Sequence, residues 1–176
     1  MIDSLNAWPL VVPFLLPALF VGTARKDIAR RMSDMTGYNA WEKFFTIAAS
    51  LAPYPFLIAT FWTPITSQVL LLYVGIVVYC IGIAAFYAAI WVFAVTSPDI
   101  HLSAGAYRLS RNPMYVASSS IFFSICLVTA NMLLFAYLIV LLVLQHFMIL
   151  AEERICRERY GTAYQQYFDK VPRYLL

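Results

Sequence analysis

The fold class this sequence predicts is an all-α, polytopic transmembrane helical bundle of five spans, and three observations predict it. Of 176 residues, 62% are hydrophobic and only 12% are charged, whereas a soluble domain averages about half apolar and about a quarter charged. The apolar residues fall in runs long enough, or nearly so, to cross a hydrocarbon core that takes about 20 residues of helix. All twelve Lys and Arg lie in segments that five spans would put on one side.

Trp8–Ala24 is the first and shortest run, and it carries Pro9, Pro13 and Pro17. Prolines are tolerated in a span when neighbours satisfy the carbonyls they free. Residues 44–66 and 69–96 give the second and third spans. Residues 114–150 are too many for one span, and "TANM" at 129–132 is the natural place for a tight reversal. The last two spans are therefore a helical hairpin, followed by a tail helix. No linker, repeat or low-complexity tract divides the chain, so residues 1–176 are read as one membrane domain.

Five spans place the 25–43 loop, the 97–113 loop and the tail together, with every basic residue. By the positive-inside rule that side is cytoplasmic and the N-terminus is outside. The N-terminus has no basic region or small-residue cleavage site, so the first helix is expected to be retained. A net charge of +3 suits anionic lipid headgroups rather than nucleic acid. Cys80, Cys126 and Cys156 have neither metal nor disulfide spacing. "ARKDIARRMSD" reads either as an amphipathic helix on the membrane surface or as a topology signal alone. Residues 1–96 offer no cluster of functional side chains.

Residues 97–176 carry the chemistry. In "YRLSRNPMYVASSS" (107–120), Asn112 is a favoured N-cap and Pro113 a favoured first helical residue, so "RNP" starts the fourth span. A bland reading suffices for that much: a capped helix, snorkelling arginines and an interfacial Tyr115. A helix start also offers free N–H groups and a positive dipole end. With Arg108 and Arg111 beside it, it can hold a carboxylate, and Gly105 permits a tight turn or close approach to a ligand.

The second cluster, "LQHFMILAEERICRERYGTAYQQYFDKVPRYL", lies where the hairpin returns. Gln145 and Glu152, like His146 and Glu153, are seven residues apart and share a helical face. Polar groups at membrane depth tend to face a protein interior or cavity. The hairpin brings Glu152 and Glu153 back beside the arginine-rich helix entry. Arg154, Arg157, Glu158 and Arg159 read as a solvated helix with pairs such as Glu153–Arg157. A lone His146 reads more readily as a helix–helix hydrogen bonder than as a catalyst.

"GAYRLSRNPMY" followed, after one hairpin, by "EERICRERYGTAYQQYFDKVPRYL" resembles the integral-membrane methyltransferases. That group contains the isoprenylcysteine carboxyl methyltransferases and the phosphatidylethanolamine N-methyltransferases. The resemblance covers about residues 98–174, on Gly105, Tyr107, Arg111, Asn112, Pro113 and Tyr115, then Glu152, Glu153, Tyr160, Gly161, Tyr164 and Tyr167. Asn112 stands where the prenylcysteine enzymes usually have histidine, Cys156 replaces a common leucine, and Ala104-Gly105-Ala106 is not a full G-x-G. Residues 1–96, helices 1–3, match nothing beyond helices and are the expected substrate side, with 97–176 the cofactor-binding half.

The resemblance implies an S-adenosylmethionine pocket on the cytoplasmic side, roofed by the tail, and a lipid or lipidated acceptor entering between helices. It implies cofactor contacts from Gly105, Tyr107, Asn112, Pro113, Tyr115, His146, Glu152 and Glu153. A carboxylate acceptor needs only an orienting cation, Arg111 or Arg173. An amine acceptor must lose a proton, to Glu153, Glu152 or His146. Two alternatives stand beside this reading: an NADPH-dependent membrane reductase of the sterol-reductase type, and a non-enzymatic membrane scaffold. The acceptor and the oligomeric state are left open.

Overall fold

The computed structural model describes residues 5–175. It is all-α. A 3₁₀ turn, Trp8–Leu10, leads into α1 (Val11–Ala24), and α2 (Lys26–Met32) leaves it at an angle of 114°. Pro17 lies inside α1 and has no N–H for the carbonyl of Pro13. The hydroxyl of Tyr87 donates to that carbonyl at 2.9 Å. A tyrosine of the third apolar run thereby repairs what a proline in the first one breaks.

Residues 44–66 form no single helix. α3 (Ala40–Leu51) and α4 (Pro53–Ala59) meet at Ala52, which keeps helical dihedrals (φ −59°, ψ −29°); Pro53 has no N–H to give the Ala49 carbonyl and suits a helix start. α3 opens with a capping box: Asn39 Oδ1 accepts from the Glu42 N–H at 2.9 Å, and Glu42 Oε2 accepts from the Asn39 N–H at 2.8 Å.

α5 (Val69–Val95) and α6 (Pro113–Thr129) pack closely. Gly75 makes that approach possible, since a Cβ there would sit 2.6 Å from Val128 Cγ2 and 3.1 Å from the Ser124 carbonyl. The expected hairpin is present. Ala130 takes the left-handed conformation (φ 49°), and Asn131 caps α7 (Met132–Phe168) by accepting from the N–H groups of Leu133 and Leu134. The tail helix is continuous with the last span and breaks only at Gly161 (φ 55°, ψ −131°).

α5 and α7 are long and apolar enough to cross a bilayer, and the bent pair α1–α2 makes up to three such spans; α6 is a shorter apolar helix. The core gathers where the helices meet, around Phe56, Ile121, Phe122, Ile125, Leu134 and Leu138. Phe122 takes the edges of Phe14 and Phe56, with ring centroids 5.2 and 5.0 Å away.

Candidate active site

The corner between α5 and α6 is built around Arg111. A 3₁₀ turn, Gly105–Arg108, starts on Gly105 in the left-handed region (φ 55°), where a side chain would also press on Val92. Arg111 then gives its donors to protein groups. Its Nε bonds Glu153 Oε1 at 3.0 Å, and its Nη1 bonds the carbonyls of Phe168 and Val171 at 2.7 and 2.6 Å. Its backbone N–H bonds the Pro172 carbonyl at 2.9 Å, and its guanidinium stacks on the Phe168 ring at 3.8 Å.

Asn112 occupies the N-cap position of α6, but its side chain makes no cap bond. It donates instead to Glu153 Oε1 at 2.9 Å and to the Arg173 carbonyl at 3.2 Å. The physical reason is orientation: Nδ2 turns to the charged acceptor, and Oδ1 is left making no bond to the helix-end N–H groups. Ser110 completes the corner, donating to the Arg173 carbonyl at 2.9 Å and accepting from the Asn112 N–H at 3.0 Å.

The two adjacent glutamates, side by side in sequence, have opposite surroundings. Glu153 is 1% exposed and is held on both sides, by Arg111 and Asn112 at Oε1 and by Arg173 Nε (3.0 Å) at Oε2. Burial works to raise its pKa, but the bonds from Arg173, Arg111 and Asn112 together outweigh burial, and the carboxyl lies below its ordinary value. Glu152 lies two residues past the apolar run that ends at Leu150, beyond the hydrophobic stretch of α7. It accepts from the hydroxyl of Tyr115 and pairs with no cation among the described residues. Burial pushes its carboxyl up to about 7; the Tyr115 bond opposes this and the charge of Glu153 adds to it.

Glu152 lines a cavity of about 510 Å³, a volume in the range of small-molecule sites. Of the residues expected at the site, Tyr107, Arg111, Asn112, Tyr115, Glu152 and Glu153 line this cavity; Gly105, Pro113, His146 and Arg173 do not. Gly105 and Pro113 shape the backbone of the corner, and Arg173 stands behind Glu153. His146 faces the Tyr174 hydroxyl at 2.7 Å rather than Glu153, whose own partners already enclose it. Gln145 serves as helix–helix glue, accepting from Ser119 Oγ at 2.8 Å and donating to the Tyr115 carbonyl at 3.3 Å. The Tyr107 hydroxyl is shut off from water and has no hydrogen-bond partner.

Residues 1–96, expected as the substrate side but with no cluster of functional side chains, supply one wall of the cavity. The segment from Arg31 to Tyr38 and the inner face of α3, including Thr46 and Ser50, form the opposite wall of the cavity. The signal was present as N-x-x-E at Asn39–Glu42 and a Thr46/Ser50 polar step, i to i+4, on an otherwise apolar helix. Nor is 154–159 merely a solvated face. Arg154 binds Glu42 (Nε to Oε1, 2.6 Å) and the Gly37 carbonyl (2.9 Å), and Arg159 binds Asp34 at 3.2 Å. The expected Glu153–Arg157 pair is replaced by Arg154–Glu158 at 2.6 Å, because Glu153 is turned inward. Arg31 anchors the same wall to the end of α5, donating to the Thr96 carbonyl at 2.6 Å and stacking on Phe93 at 4.4 Å.

An apolar bundle that closes a polar cavity at the ends of its helices defines an integral-membrane protein with a small-molecule site. The sequence model of the family described as "Phospholipid methyltransferase" matches residues 69–163, from the start of α5 to just past the Gly161 break. The chain belongs to that family. It is an S-adenosylmethionine-dependent membrane methyltransferase acting on the phospholipid class of substrate. Among curated proteins, none matches the chain.

Proposed function

We propose that the cavity binds S-adenosylmethionine together with the ammonium headgroup of an aminophospholipid, and that Glu152 takes the acceptor's proton. The observation that carries this reading is the contrast between the glutamates: Glu153 is consumed by two arginines, whereas Glu152 faces the cavity without a cation. A general base works best with a pKa near the operating pH, and Glu152 lies at about 7. An ammonium nitrogen has no lone pair to attack with, so an amine acceptor needs such a base. A carboxylate acceptor does not.

The residues present fit the cofactor. Tyr107 offers an unpartnered buried hydroxyl, and Arg31, Asp34 and Arg159 put both signs of charge on the cavity wall, which suits a zwitterion bearing hydroxyls. S-Adenosylmethionine supplies an electrophilic methyl group on its sulfonium. Tyr107, Asn112 and Tyr115 would hold it, from within the segment that the family shares. Tyr115 also fixes the Glu152 carboxyl through its hydroxyl. Arg111, Glu153 and Arg173 act as positioning residues: they clamp the tail over the corner and keep Glu153 from competing for protons. The closed wall excludes water from the acceptor nitrogen and leaves the nucleophile less solvated.

Five spans with a cytoplasmic site remain our reading of the topology. The one-sided distribution of Lys and Arg supports it, with α3–α4 as a span broken at Pro53. The experiment is direct: purified protein in phosphatidylethanolamine vesicles should bind S-adenosylmethionine by calorimetry and transfer its methyl to the lipid. Glu152→Gln should retain the binding and lose the transfer. Full transfer by Glu152→Gln would exclude the glutamate as the base.

A further inference from the structure

α3 forms one wall of the cavity. Its outer face exposes Trp41, Phe44, Ile47 and Leu51, and Ile47 and Leu51 also line the cavity. The cavity therefore lies directly beside an exposed apolar face, one suited to an acceptor with lipid chains.

Most Ser and Thr hydroxyls on α6 and just past α4 bond back to a carbonyl three or four residues earlier, as Thr60, Thr63, Ser118, Ser120, Ser124 and Thr129 do, and Ser119 donates to Gln145 instead. Thr46 does neither. It lines the cavity, its oxygen is shut off from water, and it has no partner. A buried hydroxyl left unsatisfied carries a penalty that a ligand can remove. Ser50, one turn on, donates to the Thr46 carbonyl at 2.8 Å, so the carbonyl is used while the side chain is left free. Tyr38 lies on the same wall, half-buried. Burial and then the charge of Glu152 hold its phenol above the ordinary range, so ring and carboxyl share one part of the cavity.

Both residues lie outside the 69–163 segment that the family shares. That segment supplies Tyr107, Tyr115 and Glu152. The side chains proposed above to hold the cofactor, Tyr107, Asn112 and Tyr115, come from there, although Arg31 and Asp34 add charge to the wall from outside it. What the α3 wall adds is free to suit one acceptor.

We infer that Thr46 and Tyr38 recognise the acceptor's ammonium headgroup: the Thr46 hydroxyl accepts an N–H from it and the Tyr38 ring faces its positive charge. This deepens the aminophospholipid reading above and rests on it. Each acceptor methylation removes an N–H donor, so Thr46 favours the less methylated headgroups. Tyr38 does not discriminate in this way, because an aromatic face holds primary and methylated ammonium ions alike.

The test measures methyl transfer into vesicles of phosphatidylethanolamine or of its N,N-dimethyl derivative, alongside calorimetric binding of S-adenosylmethionine. Thr46→Val keeps the shape and the helix. It should raise the acceptor KM for phosphatidylethanolamine about tenfold, the loss expected for one hydrogen bond to a charged group, with cofactor affinity unchanged. The rise should be smaller for the dimethyl lipid, and Thr46→Ser should restore the wild-type KM. Tyr38→Leu should raise KM for both lipids, and Tyr38→Phe should not. An unchanged KM in Thr46→Val, or a loss of cofactor affinity in its place, would overturn the inference. If wild-type protein binds the cofactor yet methylates neither lipid, the amine reading itself fails, and this inference with it.

Discussion

The guanidinium of Arg111 lies 3.0 Å from the carboxylate of Glu153, 42 residues further along the chain, and both side chains are nearly inaccessible to solvent. The contact joins the residues just before α6 to the middle of α7, while Nη1 and the backbone N–H of Arg111 take up carbonyls of Phe168, Val171 and Pro172. The arginine is thus the point at which hairpin and tail are tied. Arg108, three residues earlier, is exposed.

Arg111→Lys keeps the charge but loses the planar fork. With the tail carbonyls released and Glu153 left with a poorer partner, stability should fall by on the order of 3 kcal/mol. Thermal unfolding in detergent should show this, and limited proteolysis should find the 169–175 tail newly cleavable. Arg108→Lys should behave as wild type. An unaltered tail in Arg111→Lys would reduce the arginine to a topology signal.

The rate of methyl transfer should rise with pH through about 7 and then level off, following ionisation of Glu152. Tyr115→Phe removes the bond that lowers this pKa, so the midpoint should move to higher pH. Glu152→Gln should cost roughly two to four orders of magnitude in kcat. A pH profile that stays flat across this range would exclude Glu152 as the base.

Stability responds to the two carboxyls with opposite sign. The pKa of Glu152 is raised, so its contribution is fully present below the ordinary carboxylate value and is lost as pH rises through about 7. The pKa of Glu153 is lowered, so its contribution is present above the ordinary value and is lost as pH falls through the depressed one. Unfolding of Glu153→Gln should therefore lose the acid-side dependence, and that of Glu152→Gln the neutral-side dependence. Identical pH profiles for both variants would contradict the assignment.

Glu42 both caps α3 and holds Arg154. Glu42→Ala removes a cap contact worth about 1 kcal/mol and a partly exposed ion pair worth up to about 1 more. The loss should appear as a lower unfolding temperature and a looser α3. Accelerated hydrogen exchange at residues 40–46, with α5 and α6 unchanged, is the expected signature. Uniform acceleration throughout would mean that the contact stabilises the whole fold instead.

Met132 begins the segment after the hairpin reversal and is exposed. With the three native cysteines replaced by serine, Met132→Cys should react with an impermeant maleimide added outside sealed cells, while a cysteine at Ser97 should not. The reverse pattern would invert the orientation.

Much of the fold was legible because apolar run length and turn chemistry are local properties. "TANM" announced the hairpin, and Ala130 and Asn131 carry it out. The corner was legible in part: Arg111, Asn112, Tyr115 and the glutamates stand together as the two motifs implied. The difference between Glu152 and Glu153 was not legible, since it depends on which way each side chain leaves the helix and on which arginine it meets. His146 misled for a related reason. Seven residues bring His146 and Glu153 to one helical face, but Arg111 and Arg173 had already taken Glu153. The α3 wall was hidden by composition: one threonine and one serine among apolar residues look like packing until α7 closes over them.

The pairing of Glu42 with Arg154 spans 112 residues of sequence. The chain is made from its N-terminal end, so α3 exists long before its partner on α7. During that interval Glu42 lacks Arg154, and the face of α3 that lines the cavity lacks its opposite wall. The cavity is thus absent from every partial product that lacks α7, since residues 152–167 form one of its walls. An enzyme assembled in this order has no half-built site in which to spend S-adenosylmethionine.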